Sequence, residues 1–209
     1  MINEKADVSK DAFVDESAEI AEDVKIYPNV YVLGNSKIGK GTIIYPNTTI
    51  EDSVIGENCV IKSSYIEESE VKNNVKIGPF AHLRPKSVVC DDCKIGNFVE
   101  IKNAVIGKGT AASHLAYIGD ADVGEDCNIG CGAIFVNYNG KDKNRTIVED
   151  NCFVGSNCNV VAPVHIKKNS YICAGTTITI DTNEDDFVIG RCRETVKANR
   201  AHLYLKKKD

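Results

Sequence analysis

Aliphatic residues recur at every sixth position along nearly the whole chain of 209 residues. The series runs from Val8 to Ile178 with a few shortened steps, and one long interruption separates Phe135 from Val148. An amphipathic helix repeats about every 3.6 residues and a half-buried strand every two, so neither produces this period. A sustained short repeat indicates a solenoid, in which each coil packs on its neighbours.

Each hexad has a constant internal pattern. Glycine often follows the aliphatic residue directly, and four of the five prolines stand two positions after it. Both residue types favour turns, so each hexad is predicted to contain one short strand and one corner. The repeat resembles that of the left-handed parallel β-helix, a triangular prism with three hexads per coil. We therefore predict an all-β chain of this class, and the left hand comes from the resemblance alone.

The nine cysteines fit the same repeat. Their odd number, without a secretion signal, argues against a disulfide framework. Cys90 and Cys93 form a lone CxxC, with no second pair at the spacing of a zinc ribbon. Five cysteines occupy the inward position two residues before an aliphatic one: Cys59, Cys93, Cys127, Cys152 and Cys158. We interpret them as small buried hydrophobic residues rather than as metal or redox ligands.

Composition excludes several classes of partner. Hydrophobic residues make up 43% of the chain and charged residues 26%, which is typical of a globular protein. The formal net charge of −5 makes general nucleic-acid binding a poor hypothesis. No apolar run approaches the roughly 18–20 residues of a membrane span, and the N-terminus lacks a signal pattern. We expect a cytoplasmic protein with no nucleic-acid or membrane partner.

Two segments depart from the repeat. Residues 136–147 form a polar insertion, and a loop that projects from a rigid scaffold often carries function. Residues 191–209 are rich in Arg and Lys and are predicted to form a short helical tail. The tail is suited to phosphate binding, and a solvated terminus is the alternative. The predicted organisation is a β-helix domain over residues 1–182 and a C-terminal loop and basic tail over residues 183–209.

With three hexads per coil, residues 18 apart lie above one another. Arg84 and Lys102 stack in this way, and two adjacent cations repel unless an anion lies between them. A phosphate or carboxylate ligand is one interpretation, and two diverging solvated side chains are the other. His82 and Glu100 also stack on an outward position, with Tyr117 one coil further on.

His114 lies three residues before Tyr117, near a corner. A histidine close to a carboxylate can act as a general base, although a lone surface histidine is more often inert. Cys131, Ser156 and Ala174 share another position of the hexad. If the insertion replaces one corner, these three small residues stack on successive coils. Their column would leave a groove where an extended ligand can lie against backbone amides.

Several motifs follow one another along the chain in a recognisable order. They occupy residues 78–85, 96–102, 114–120, 128–132 and 137–140, followed by Lys143. Together they resemble the C-terminal acetyltransferase domain of the bacterial bifunctional glucosamine-1-phosphate acetyltransferase and N-acetylglucosamine-1-phosphate uridyltransferase, a family of the hexapeptide-repeat acyltransferase superfamily. The resemblance implies acetyl transfer from acetyl-CoA to the amine of glucosamine-1-phosphate. The product would serve UDP-N-acetylglucosamine and cell-wall precursor synthesis.

The resemblance also implies roles for individual residues. His114 would be the general base, and Glu100 would tune or orient it. The phosphate and the sugar would be bound by Arg84, Lys102, Tyr117, Asn128 and Lys143. The cofactor site would comprise Cys131, Asn137, Tyr138, Ser156, Ala174 and Arg191. The family needs no metal for this step and forms homotrimers with sites shared between subunits.

The chain departs from the family in several places. The glycine-rich nucleotide signature of the N-terminal uridyltransferase domain is absent, so we expect no uridyltransferase activity. Cys131 stands where the family usually has Ala, Ala133 where it has Thr, and Asn139 where it has Asp.

Three other functions stay open at this stage. One is an acetyltransferase for another phosphorylated or nucleotide-linked amino sugar. Another is a zinc enzyme resembling γ-class carbonic anhydrases, which need three convergent histidines. The chain has four histidines, none of which forms a close pair: His82, His114, His165 and His202. The third is a non-catalytic scaffold.

Overall fold

The computed structural model describes residues 1–204, which form a left-handed parallel β-solenoid of about ten turns. This confirms the predicted all-β hexapeptide fold. The solenoid is a triangular prism whose three faces are built from stacked short strands. All strand pairings between named strands are parallel. No helix in the described part of the chain is long and apolar enough to cross a membrane.

Each face is a stack of strands. Face one contains Asp7–Val8, Lys25–Ile26, Ile43–Ile44, Val60–Ile61, Lys76–Ile77, Asn128–Ile129, Phe153–Val154, Tyr171–Ile172 and Phe187–Val188. Face two contains Phe13–Val14, Tyr31–Leu33, Thr49–Glu51, Tyr65–Glu67, His82–Leu83, Ile134–Val136, Asn159–Val161 and Thr177–Ile178. Two long strands, Lys94–Lys102 and Ala111–Gly119, cross from face one to face two. Face three contains Glu19–Ile20, Lys37–Ile38, Val54–Ile55, Glu70–Val71, Val88–Val89, Val105–Ile106, Ala121–Val123, Thr146–Val148 and Val164–Ile166.

The aliphatic position of the hexad builds the core. From Ile20 to Ile178 every residue of the series is buried inside the prism, whereas Val8 and Val14 at its open end are partly exposed. The five inward cysteines are also buried, as predicted, and all are free thiols. Burial raises the pKa of Cys93 to about 12, so the thiol of the CxxC is held in its neutral form.

The corners show why glycine and asparagine recur. Positive φ angles fall mostly two or three positions after the aliphatic residue. Most of them occur at Asn, Asp and Gly, which tolerate the left-handed region. The glycine directly after the aliphatic residue serves another purpose. A Cβ built on Gly39 would lie 2.5 Å from the carbonyl carbon of Gly56 on the next coil. That position is therefore glycine because successive coils approach closely there.

The C-terminal segment differs from the prediction in extent. The coil continues past residue 182, because Phe187–Val188 pairs with Tyr171–Ile172. Beyond it, the predicted helical tail is limited to a single 3-10 turn, Ala201–Leu203, in the described residues, and residues 205–209 lie outside them. Residues 191–204 are all exposed, so no packed face supports a longer helix.

Candidate active site

The outward column predicted from the spacing is present on face two. His82 pairs with Glu100 on the next coil, and Glu100 pairs with Tyr117 on the coil after that. The His82 ring contacts the carboxylate of Glu67, with 3.1 Å between Nε2 and Oε1. Glu100 has a different partner.

That partner is Arg84, whose Nη1 donates to Oε1 of Glu100 across 2.8 Å. Lys102 stacks one coil beyond Arg84, as predicted, and it also meets Lys143 from the insertion. The contact with Lys143 lowers the pKa of Lys102 below its usual value, and burial and the charge of Arg84 act in the same direction. We call Arg84, Lys102 and Lys143 the cation cluster. An anionic ligand such as a phosphate would relieve the repulsion within it.

The insertion is a small hairpin at the corner between faces two and three, here called the second corner. Strands occupy Ile134–Val136 and Thr146–Val148, so the projecting part is residues 137–145. Tyr138 forms an antiparallel bridge with Lys143. The N–H of Asn144 donates to the carbonyl of Asn137 across 2.7 Å. The hairpin therefore fixes Lys143 beside Lys102.

Asn139 stands at the tip of this hairpin in place of the family's usual aspartate. Its Oδ1 accepts hydrogen bonds from the N–H groups of Lys141 and Asp142, at 2.9 and 2.7 Å. An aspartate oxygen accepts the same two bonds, so this departure preserves the turn.

Asp120 lies buried beneath the hairpin. It accepts hydrogen bonds from the side-chain amides of Asn103 and Asn137. Burial raises the pKa of Asp120, but the two amide hydrogen bonds and the charges of Lys143 and Lys102 together lower it below its usual value. Sequence reasoning missed this residue, although it ends one of the quoted motifs. An ionised Asp120 therefore holds Asn137, the first residue of the hairpin, in place.

Arg145 is a second residue that sequence reasoning missed. Its Nε donates to Oδ2 of Asp122 across 2.6 Å. Its Nη1 and Nη2 donate to the carbonyls of Asn103 and Ala121, both across 3.0 Å. Arg145 therefore ties the end of the hairpin to two earlier coils.

Replacing Arg145 by alanine is expected to loosen the hairpin. Loss of the three anchoring contacts should accelerate hydrogen exchange of the amides in residues 137–144 at least about ten-fold, because exchange follows the free energy of local opening. Exchange in the distant strand Val54–Ile55 serves as the internal control and should not change. Arg145→Lys should restore only part of the protection, since an ammonium cannot make the forked contact. Unchanged exchange in Arg145→Ala would show that contacts within the hairpin are sufficient to stabilise it.

His114 lies at the corner between faces one and two, here called the first corner. It is exposed, and its Nδ1 lies 2.6 Å from Oδ1 of Asn97 on the preceding coil. An amide oxygen can only accept, so Nδ1 carries the proton and Nε2 carries the lone pair. The expected neighbour, Glu100, is bonded to Arg84 instead, and its role beside His114 stays a prediction.

The small-residue column is also present, and it continues from His114. The pairings Ala112 to Ile129, Ile129 to Val154 and Val154 to Ile172 place the residues two positions later on successive coils. Those residues are His114, Cys131, Ser156 and Ala174. The insertion does replace one corner, as the stacking requires. We call this column the amide groove.

The groove offers backbone donors. Within the described residues, the N–H groups of Cys131, Ser156 and Ala174 make no hydrogen bond, and the three residues are exposed. At the far end, Nη1 of Arg191 donates to the carbonyl of Ala174 across 2.8 Å. The structure thus brings together four of the six predicted cofactor residues. An extended ligand with carbonyl and phosphate groups fits this set of donors.

The remaining predicted residues lie elsewhere. Asn128 projects from face one, whereas Asn137 and Tyr138 lie on the hairpin at the second corner. His114 is separated from the level of Lys102 on face two by five residues of one strand, on the order of 15 Å. His114 and the cation cluster therefore lie near opposite ends of face two.

The described residues do not offer a zinc site of the kind considered above. They contain no group of three or more His, Cys, Asp and Glu side chains suited to a metal ion. Three of the histidines contact Glu67, Asn97 and Glu149 respectively, at three separate places in the fold.

Comparisons with known proteins agree with this architecture. The family profile described as "GlmU-like, C-terminal hexapeptide" matches residues 44–129, and "Bacterial transferase hexapeptide (six repeats)" matches residues 17–52. Among solved structures, an Arabidopsis UDP-N-acetylglucosamine acyltransferase superposes with a TM-score of 0.63 at 22% identity. The match covers 85% of this chain and 69% of that chain, and it supports the fold.

Sequence relatives are much closer. The "Bifunctional protein GlmU" of Caldicellulosiruptor saccharolyticus is 53% identical over 88% of this chain and 40% of its own length. The protein of the same name from Clostridium novyi is 48% identical over 95% of this chain and 44% of its own length. The chain thus spans less than half the length of these curated relatives. It belongs to the GlmU-like hexapeptide family and corresponds to the C-terminal domain of the bifunctional GlmU proteins.

Proposed function

We propose that the chain transfers the acetyl group of acetyl-CoA to the amine of glucosamine-1-phosphate. The observation that carries this proposal is the position of His114 at one end of the amide groove, one coil before Cys131. A base and a row of free backbone donors then share one corner of the prism. A thioester aligned on the groove would present its carbonyl carbon next to Nε2 of His114.

His114 would act as the general base. Its Nε2 takes a proton from the amine as the nitrogen forms a bond to the thioester carbonyl carbon. The carbon–sulfur bond then breaks, and CoA leaves as the thiol after protonation of its sulfur. A positioned base typically contributes a factor of about 10²–10⁴ to such a step.

Cys131 would contribute through its backbone. Its N–H is free to donate to the carbonyl oxygen, where negative charge develops during the attack. One such donor is typically worth about 3 kcal/mol. Ser156 and Ala174 would hold the extended arm of the cofactor, and Arg191 would bind a phosphate at its far end.

The sugar phosphate would bind to the cation cluster, with Tyr117 and Asn128 at the sugar ring. Because His114 and the cation cluster lie near opposite ends of face two, we propose that groups from a second copy complete the site. The separate positions of Asn128, Asn137 and Tyr138 support the same arrangement. The family resemblance implies a homotrimer, and we propose that in it the cation cluster of one subunit faces His114 of its neighbour.

An acetyl-transfer assay tests the proposed function. The full chain is mixed with acetyl-CoA and glucosamine-1-phosphate, and thiol release and product mass are followed together, since the cysteines also react with thiol reagents. Release that requires the sugar phosphate supports the proposal. Release with a different amino sugar would replace the acceptor, and no turnover with any amine would contradict acetyl transfer.

Removing the charge of Lys102 is expected to weaken binding of the sugar phosphate. Lys102→Met should raise the KM for glucosamine-1-phosphate about 10- to 100-fold, because a hydrogen bond to a charged group contributes about 1.5–3 kcal/mol. The KM for acetyl-CoA should change little. Lys94→Met, on face one, is the matched control and should behave as wild type. An unchanged KM in Lys102→Met would place the phosphate elsewhere.

A further inference from the structure

Three aromatic rings stack on face one, beside the far end of the amide groove. Phe153 and Tyr171 lie with ring centroids 4.5 Å apart and planes tilted by 8°. Tyr171 and Phe187 follow at 5.3 Å and 21°. The three residues occupy the same position of the hexad on successive coils, so the solenoid itself builds the stack. We call it the aromatic ladder.

The ladder borders the groove. Tyr171 and Phe187 line one pocket of about 430 Å³ together with Cys173, Ala174 and Arg191. Ala174 is the last residue of the amide groove, and Arg191 donates to its carbonyl. Planar rings, a cation and the end of an extended groove therefore meet at one place.

Distance along the prism decides which part of a ligand reaches this pocket. Three coil steps separate His114 from Ala174, which is about 15 Å at the usual strand spacing. A ligand with its thioester beside His114 therefore extends an arm of that length before it reaches the ladder. In acetyl-CoA, the group at the end of the pantetheine arm is a phosphorylated adenosine.

Phe187 is the last rung of the ladder. No strand follows it in the described residues, and 65% of its surface is exposed. A large apolar ring that ends a stack and faces solvent is suited to accept one more flat ring. Arg191 stands next to it, and one guanidinium nitrogen bonded to Ala174 leaves further donors for a phosphate.

We propose that Phe187 is the stacking platform for the adenine ring of CoA, beside the phosphate already assigned to Arg191. This inference rests on the proposed use of acetyl-CoA. It adds a specificity determinant, because the ladder recognises the nucleotide rather than the acetyl arm. Stacking of a nucleotide base on an aromatic side chain is strong enough to change the binding affinity measurably.

Direct binding tests the platform without any reaction. The chain contains no tryptophan, so Phe187→Trp provides a single fluorescent reporter at the proposed contact. CoA and adenosine 3′,5′-bisphosphate should both quench its emission, and pantetheine should not. If calorimetry shows that CoA binds this variant while its emission stays constant, the platform is wrong. If CoA does not bind the wild-type chain at all, the proposed function fails together with the platform.

Kinetics separate stacking from a structural role. Phe187→Ala should raise the KM for acetyl-CoA about ten-fold, equivalent to about 1.4 kcal/mol. It should leave the KM for S-acetylpantetheine, which lacks the nucleotide, unchanged, and Phe187→Tyr should retain the wild-type value. Phe13→Ala removes another exposed aromatic ring, at the opposite end of the prism, and is the matched control. Equal rises with both acetyl donors would overturn the stacking assignment.

Discussion

Replacing His114 by alanine is expected to lower kcat for acetyl transfer to glucosamine-1-phosphate by a factor of about 10²–10⁴. The variant keeps the amide groove and the cation cluster, so both KM values should stay within a few-fold of wild type. Only the proton acceptor is lost, because the exposed His114 ring supports no packing in the core. The measurement is kcat from product mass at saturating concentrations of both substrates.

The control for this variant is His165→Ala. His165 is also partly exposed, and its ring lies 2.7 Å from Glu149 on face three, away from the groove. We expect its kcat to equal that of wild type. A His114→Ala enzyme that retained wild-type kcat would remove the base from the mechanism and favour a substrate amine that loses its proton to water.

The contact between Asn97 and the His114 ring can be tested separately. The amide oxygen of Asn97 fixes the His114 ring, so Asn97 acts as a positioning residue. Asn97→Leu should lower kcat without raising either KM, because the ring loses its orientation while the groove remains. Asn97→Asp keeps an acceptor and should recover kcat, with the pH profile shifted to higher pH by the added negative charge. Equal kcat in all three proteins would show that Asn97 contributes nothing to His114.

The sequence pattern was sufficient for the scaffold because every hexad repeats the same physical constraint. The buried aliphatic series from Ile20 to Ile178 and the inward cysteines follow directly from a period of six. The stacking of Arg84 on Lys102 and of Ser156 on Cys131 follows from counting coils. Such predictions succeed because a solenoid converts sequence distance into spatial distance with little freedom.

Side-chain partners could not be predicted by the same counting. The spacing placed Glu100 between His82 and Tyr117, but it did not reveal that the carboxylate of Glu100 forms an ion pair with Arg84. The orienting contact on His114 comes from Asn97, which stands directly beneath it in the same column and has no charge to signal its role. The anchors of the hairpin, Asp120 and Arg145, depend on how an irregular loop folds back, which no repeat determines.

Introducing one methyl group at Gly96 is expected to destabilise the fold and disable the site together. Gly96 lies in the long strand that turns the first corner, and its neighbour on the next coil is Ser113. A Cβ built on Gly96 would lie 2.5 Å from the carbonyl carbon of Ser113 and closer still to its oxygen. The clashing atoms belong to the backbone and cannot move aside easily, because the strand Lys94–Lys102 pairs with Ala111–Gly119 along most of its length.

Gly96→Ala should therefore lower the free energy of unfolding by at least about 3 kcal/mol. At this chain length, that corresponds to a fall in Tm of roughly 10 °C, measured by calorimetry. Gly140→Ala is the control, since a Cβ there has no heavy atom within 4 Å and only the φ of +95° opposes it. Because Ser113 precedes His114, the displaced peptide should also move the base away from Asn97. We expect kcat of the folded Gly96→Ala protein to fall at least about ten-fold below that of Gly140→Ala, and equal values would show that the corner yields without moving His114.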